Sequence, residues 1–171
     1  MMTPLPSCIL HSNNFDLVPW RIDKKIHAAT WDSGYGALLS GGRWNSKGQS
    51  ATYCSLDPST SIIEVAVHLG FNVLDTNPYI LTSIDILDLT DVFVVQPEDI
   101  PNPAWLHGGM PSIGQQKYGG NLISTYSFVI FPSAVSKKSW NLVFSPEKAH
   151  GKYRVRSQSP LVLDTRLNPG P

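Results

Sequence analysis

The chain has 171 residues, 42% of them hydrophobic and 15% charged, with 13 basic side chains balancing 13 acidic ones. That mixture suits one sizeable hydrophobic core and lies far from the disordered regime. Zero net charge gives no electrostatic footprint for nucleic acid or an anionic membrane, and the weak self-repulsion is compatible with a homodimer or a protein partner.

In chain order, the amino terminus MMTPLPSCIL has neither the basic start nor the long apolar run of a signal peptide. No segment reaches the length of a membrane span, so a soluble, cytoplasmic protein is expected. Leu17 to Ile22 (LVPWRI) reads as a short strand carrying Arg21, Lys24 to Trp31 as a helix, and Gly34 to Gly42 as a glycine-rich turn region. Ala51 to Leu56 alternates as a strand. The clearest helix follows, with Asp57 as N-cap, Pro58 at the first helical position and Gly70 just past the end.

Tyr79 to Leu89 and Val92 to Gln96 read as strands, and Pro101 to Asn121 as an irregular stretch with a short helix near Gln115. Phe128 to Phe131 and Asn141 to Phe144 have the composition of buried strands, with weaker strands at Tyr153 to Arg156 and Leu161 to Leu163. Many short strands with helices in the N-terminal half predict an α+β domain with mostly antiparallel sheets. A parallel dinucleotide-binding sheet is excluded by the lack of alternating strands and helices and of any GxGxxG.

Cys8 and Cys54 form no CxxC and no zinc-spaced cluster, so free buried thiols in a reducing compartment are expected. His11, His27, His68, His107 and His150 show no HExxH or paired-ligand spacing. No metal site is expected, and neither a Walker A sequence nor a GxSxG occurs.

Four features can carry chemistry. On the helix after Asp57, apolar side chains cover well over half the circumference and leave a narrow polar strip of Thr60, Ser61, Glu64 and His68. In GGRWN, Gly41 and Gly42 permit close backbone approach, and Arg43 offers a fork of donors shaped for phosphate or carboxylate. Trp44 can pack on the sheet and Asn45 can bond locally. Arg21 alternates with Trp20 and Ile22, so it faces away from whatever they bury. Ser133 ends an apolar strand at Pro132, where a hydroxyl caps a turn. Plain alternatives stand beside each: a solvated helix stripe, a tight turn whose arginine meets a surface carboxylate, an exposed strand residue and a turn serine.

Arg21 in WRI, GGRWN, Tyr53, Glu64 within IIEVAVHL, FPSAV followed by Asn141, and the closing LDTRL together resemble the RES family, named for an arginine, a glutamate and a serine. The resemblance runs from about Trp20 to Leu167 and implies one RES-like domain over residues 1–171, its core about 20–167, with an ADP-ribosyltransferase-like α+β fold. It implies a bacterial toxin that consumes NAD+ as substrate, by hydrolysis or phosphorolysis, with no separate cofactor and with an Xre-type helix-turn-helix antitoxin as partner. Glu64, Arg21 and Ser133 then match catalytic positions, and Arg21, Arg43, Tyr53, Trp44, Asn45 and Asn141 match NAD+-binding ones. Glu64 would hold a ribose hydroxyl, the arginines would grip the pyrophosphate, Tyr53 would stack on nicotinamide and Ser133 would position the ribose.

A protein mono-ADP-ribosyltransferase with the same site, or a non-catalytic nucleotide-binding or interaction module, are the other readings. The chain departs from the family pattern at SPEKAH, Ser145 to His150, and at KYGGN before Phe128, both at the expected rim.

Overall fold

The computed structural model describes residues 17–109 and 111–167, so Cys8 and His11 lie outside the described residues. Seven strands, β1 (Trp20–Lys24), β2 (Thr52–Ser55), β3 (Tyr79–Ile86), β4 (Val92–Val94), β5 (Phe128–Pro132), β6 (Trp140–Phe144) and β7 (Tyr153–Pro160), make one sheet. Its order is β4-β5-β6-β2-β1-β3-β7, antiparallel throughout except for the parallel β4–β5 pair. The helices are α1 (Tyr35–Ser40), α2 (Pro58–Leu69), α3 (Phe71–Thr76) and α4 (Ile113–Thr125). The architecture is the α+β, mostly antiparallel one that the strand pattern predicts.

Successive side chains of a strand point to opposite faces, and β5 shows the consequence. Phe128 and Ile130 join Trp31, Ile84, Leu142 and Phe144 on one face, whereas Val129 and Phe131 join Trp44, Ile123 and Val143 on the other. Both faces are therefore covered, which is why FVIFP is buried at every position. A third cluster, Ile22, Leu74 and Tyr79, seats α2 and α3 through Ile62, Val65 and Ala66.

Several elements differ from the sequence reading. Lys25–Thr30 is a 3-10 turn and not an α-helix. The glycine-rich turn region contains α1, bounded by Gly34 at φ 64° and Gly41 at φ 74°, left-handed positions that glycine takes without strain. Right after Gly70 (φ 83°) the chain begins α3, unforeseen because six residues carry little periodicity.

The irregular stretch holds the 13-residue α4. Its start was readable as a Ser-x-x-Gln capping pattern, since the Ser112 hydroxyl accepts from the Gln115 N–H at 3.1 Å. KYGGN is accordingly helical, and its glycines serve packing: a Cβ on Gly119 would lie 2.4 Å from the Trp44 carbonyl oxygen. At the carboxyl end β7 continues to Pro160, and Leu161 to Leu163 form no strand.

The polar strip of α2 is divided, its first turn facing inward while His68 stays exposed. Thr60 and Ser61 are buried, and Val67 on the apolar arc is 61% exposed. The first turn meets the sheet by its polar side, where Ser61 Oγ donates to the Trp20 carbonyl at 2.9 Å, while Ile62, Val65 and Ala66 pack on the third cluster.

Candidate active site

Glu64 sits in the second turn of α2, whose direction is set at its start. Asp57 accepts from the Thr60 N–H at 2.8 Å and from the Thr60 hydroxyl at 2.6 Å, so the capped first turn is fixed immediately after β2. From there Glu64 reaches across to the ends of β5 and β6. Its Oε1 accepts from Ser133 Oγ at 2.8 Å and from Asn141 Nδ2 at 2.6 Å. These are the charge-assisted hydrogen bonds that hold a carboxylate in one orientation.

Ser133 is itself held. It is fully buried one residue past β5, and its Oγ accepts the Val135 N–H at 3.2 Å and the Ser136 N–H at 3.0 Å. With its lone pairs engaged by the turn, the hydroxyl proton is directed at Glu64. Both side-chain donors converge on one carboxylate oxygen, which leaves the other as the natural acceptor for a ligand hydroxyl.

Glu64 lines a cleft of about 1010 Å³ together with Arg21, Arg43, Tyr53 and Asn141. That size suits a nucleotide-scale ligand. The GGRWN loop lines the same cleft through Gly41, Gly42, Arg43 and Trp44. Gly42 is packed so tightly that a Cβ would lie 2.6 Å from the Tyr53 hydroxyl, and this contact brings the loop against β2. Tyr53 Oη donates to Asn45 Oδ1 at 2.6 Å and accepts the Trp44 N–H at 3.1 Å. Burial pushes the Tyr53 phenol far above its ordinary range, only partly opposed by backbone hydrogen bonds from Trp44 and Asn45 and by the Arg43 charge. Tyr53 is thus a neutral wall of the cleft that also pins the loop.

Arg43 Nη1 donates to the Trp105 carbonyl at 2.9 Å, tying the loop to the segment before α4, and Gln116 Nε2 on α4 donates to the Gly42 carbonyl at 2.8 Å. Arg21 projects from β1 with Nη1 on the Tyr53 carbonyl at 2.8 Å and Nη2 on Asp23 Oδ1 at 2.7 Å. Asp23 is the next residue on the same strand face, and its side chain is only 11% exposed. Burial pushes its carboxyl up, against the opposing charge and hydrogen bond of Arg21. The guanidinium is therefore braced from behind while it lines the cleft.

Trp44 and Asn45 are placed differently from the other candidates. Trp44 is buried and stacks on Phe131 with ring centroids 4.3 Å apart. Asn45 is fully buried and spends Nδ2 on the carbonyls of Ala37, Ser46 and Gln49, away from the cleft. Both hold the loop that presents Arg43: Trp44 also lines the cleft, whereas Asn45, expected among the NAD+-binding residues, turns its amide to the loop backbone.

Asp23, Gln116 and Ser55 are partners that the sequence reading missed. The i, i+2 spacing in WRIDK could have signalled Asp23, and the capping pattern before α4 could have signalled Gln116. Of the two family departures, KYGGN packs beneath the GGRWN loop through Gly119. Among the described residues no group of three or more His, Cys, Asp and Glu is placed to hold a metal ion, and no helix is long and apolar enough to cross a membrane. Cys54 is buried on β2, the strand beside Arg21's, and burial pushes its thiol up to about 12.

Comparison with known proteins bears on this arrangement. The RES domain family model matches residues 18–164. A protein named Toxin Res from Yersinia enterocolitica is 31% identical, over 84% of this chain and 94% of its own length. A second Toxin Res, from Photorhabdus laumondii, is 29% identical over 76% of this chain and 82% of its own. The Prs ADP-ribosylating toxin of Sphingobium sp. is 30% identical over 86% of this chain and 94% of its own. Among solved structures, a chain of the M. tuberculosis MbcT-MbcA toxin-antitoxin complex shares the fold, with a TM-score of 0.70 over 86% of this chain and 85% of that one at 21% identity.

Proposed function

The chain belongs to the RES domain family, and on that premise we propose that it is the toxin of a toxin–antitoxin pair, cleaving the N-glycosidic bond between nicotinamide and ribose in NAD+. One observation carries the chemistry: a single carboxylate, Glu64, held rigidly at Oε1 by Ser133 and Asn141 on the wall of a nucleotide-sized cleft. Most glycoside hydrolases use two carboxyl groups because their leaving oxygen must be protonated. Nicotinamide is already cationic in NAD+ and departs neutral, so no general acid is required.

The remaining demand is to stabilise positive charge developing on the ribose. A preorganised carboxylate in a partly desolvated cleft does this at little reorganisation cost. Glu64 accepts a ribose hydroxyl through its second oxygen and places its charge beside the oxocarbenium-like carbon. Arg21 and Arg43, both lining the cleft, meet the two phosphates, and Tyr53 offers an aromatic face to nicotinamide. NAD+ is the substrate in this reading and no resident cofactor is invoked.

A second acceptor has its own support. The name of the Sphingobium relative favours transfer of ADP-ribose to a protein side chain in place of water or phosphate. The fold shared with a toxin from a toxin–antitoxin complex supports an antitoxin as partner, and an Xre-type helix-turn-helix protein is the proposed one.

The test is chromatography of products after incubating purified protein with NAD+, with and without phosphate, beside Glu64→Gln. Nicotinamide release that falls by about 10²-fold or more in the variant supports the assignment. Full turnover in Glu64→Gln removes it. Labelled NAD+ incubated with lysate separates the acceptors, because protein transfer leaves label on a polypeptide.

A further inference from the structure

Ser55 is the last residue of β2, 3% exposed, and its hydroxyl meets Asn141 of the Glu64 constellation from the neighbouring strand. Its position follows from register. β2 lies between β6 and β1, so Ser55 stands directly opposite Asn141 on one side and Trp20 on the other. Cross-strand partners share a face, and Ser55 Oγ donates to Asn141 Oδ1 at 2.9 Å. The other end of the same carboxamide donates to Glu64 Oε1 at 2.6 Å.

We infer that Ser55 is a positioning residue for the reaction, acting through Asn141 to fix the carboxamide with its N–H end on Glu64. This rests on the reading of Glu64 given above. A carboxamide has one donor end and one acceptor end, and only one orientation serves a carboxylate. With Oδ1 anchored by the Ser55 hydroxyl, Nδ2 is held at the catalytic carboxylate. Without that anchor Oδ1 is left short of a donor in a poorly solvated place, and the amide turns toward whatever donor or water it can find. Glu64 then relies on Ser133 alone, and its carboxylate is free to swing.

Ser55 lines the cleft beside Asn141, and in this scheme it acts through that amide and not on the ligand. Its loss therefore acts on the transition state, which needs the carboxylate oriented, more than on ground-state binding, which the arginines supply.

The experiment is a double-mutant cycle on the purified protein, with Ser55→Ala, Asn141→Ala and the pair, read as kcat and KM for NAD+ cleavage. Ser55→Ala is expected to lower kcat about five- to tenfold with KM within about twofold, as loss of one hydrogen bond implies. In the Asn141→Ala background the same change is expected to lower kcat by less than about twofold, because the intermediary is already gone. Ser55→Thr, which keeps the hydroxyl, restores most of kcat. Equal losses in both backgrounds, or no loss in either, overturn the inference.

If the wild-type protein cleaves no NAD+, the proposed function fails, and the positioning link is still read from the Asn141 side-chain amide pair in a proton–nitrogen spectrum. That pair is expected to be slow to exchange in wild type and in Glu64→Gln, and to exchange faster in Ser55→Ala. An unchanged pair in Ser55→Ala overturns the inference independently of activity.

Discussion

Gly119 on α4 is where backbone packing behind the arginine loop can be tested most directly. A Cβ at this position would lie 2.4 Å from the Trp44 carbonyl oxygen, 2.7 Å from its Cβ and 2.8 Å from its Cα. Ordinary contact begins near 3.4 Å, so α4 and the GGRWN loop must part by about 1 Å to admit a methyl group. The obstructing atoms are mostly backbone, which cannot rotate away, so the overpacking penalty belongs at the upper end of its range, about 3 kcal/mol. Replacing a helical glycine by alanine returns about 1 kcal/mol of propensity.

The net expectation for Gly119→Ala is a loss of about 2 kcal/mol, or about 4–8 °C in Tm for a domain of this size. Gly114, near the start of the same helix, is the internal control. Its nearest neighbour to an added Cβ is the Ser112 hydroxyl at 3.9 Å, so Gly114→Ala keeps only the propensity gain and raises Tm by about 1–4 °C. Thermal unfolding followed by circular dichroism decides it. If both substitutions shift Tm in the same direction, the argument that α4 clamps the loop through Gly119 is refuted.

Other outcomes follow from the same contacts. Arg43→Ala removes a charged donor from the cleft and its tie to the Trp105 carbonyl, so KM for NAD+ should rise about tenfold or more in steady-state kinetics, with a smaller change in kcat. Asp57→Ala deletes the cap of α2 and should destabilise the fold by about 1 kcal/mol in a denaturant titration, through the two bonds to Thr60. Burial raises the Cys54 thiol from 9.0 to about 12, so the folded state holds that proton more tightly than the unfolded one. Stability from this linkage is intact below pH 9 and is lost as pH rises toward 12. Tm against pH should decline over that window, and Cys54→Ala should flatten the decline while lowering Tm at neutral pH.

The family and most members of the candidate site were legible in the sequence because they rest on local motifs. The Asp57–Pro58 start of α2 is a short-range signal, and it fixes where Glu64 falls on its helix. The alternation in WRI turned Arg21 away from its apolar neighbours and the paired glycines before Arg43 allowed close backbone approach, while the family resemblance assigned both arginines to the site. FVIFP announced a strand buried on both faces. These patterns span a few residues each, and the backbone preferences behind them act over the same distance.

The tertiary structure decided which polar groups meet. Nothing local says that Asn141 pairs with Ser55 across β2–β6, since that register is set by sheet order and core burial over a separation of 86 residues. The same is true of the Ser133 hydroxyl on Glu64, 69 residues apart, and of the inward turn of α2's polar edge. The apolar count alone left a solvated stripe open as one reading of Thr60 and Ser61. Once buried beside β1 they satisfy their hydrogen bonds within the protein, which removes the penalty that the count assumed. Helical KYGGN and buried Asn45 follow the same rule: a side chain's role is settled by the partners that the completed fold brings within hydrogen-bond reach.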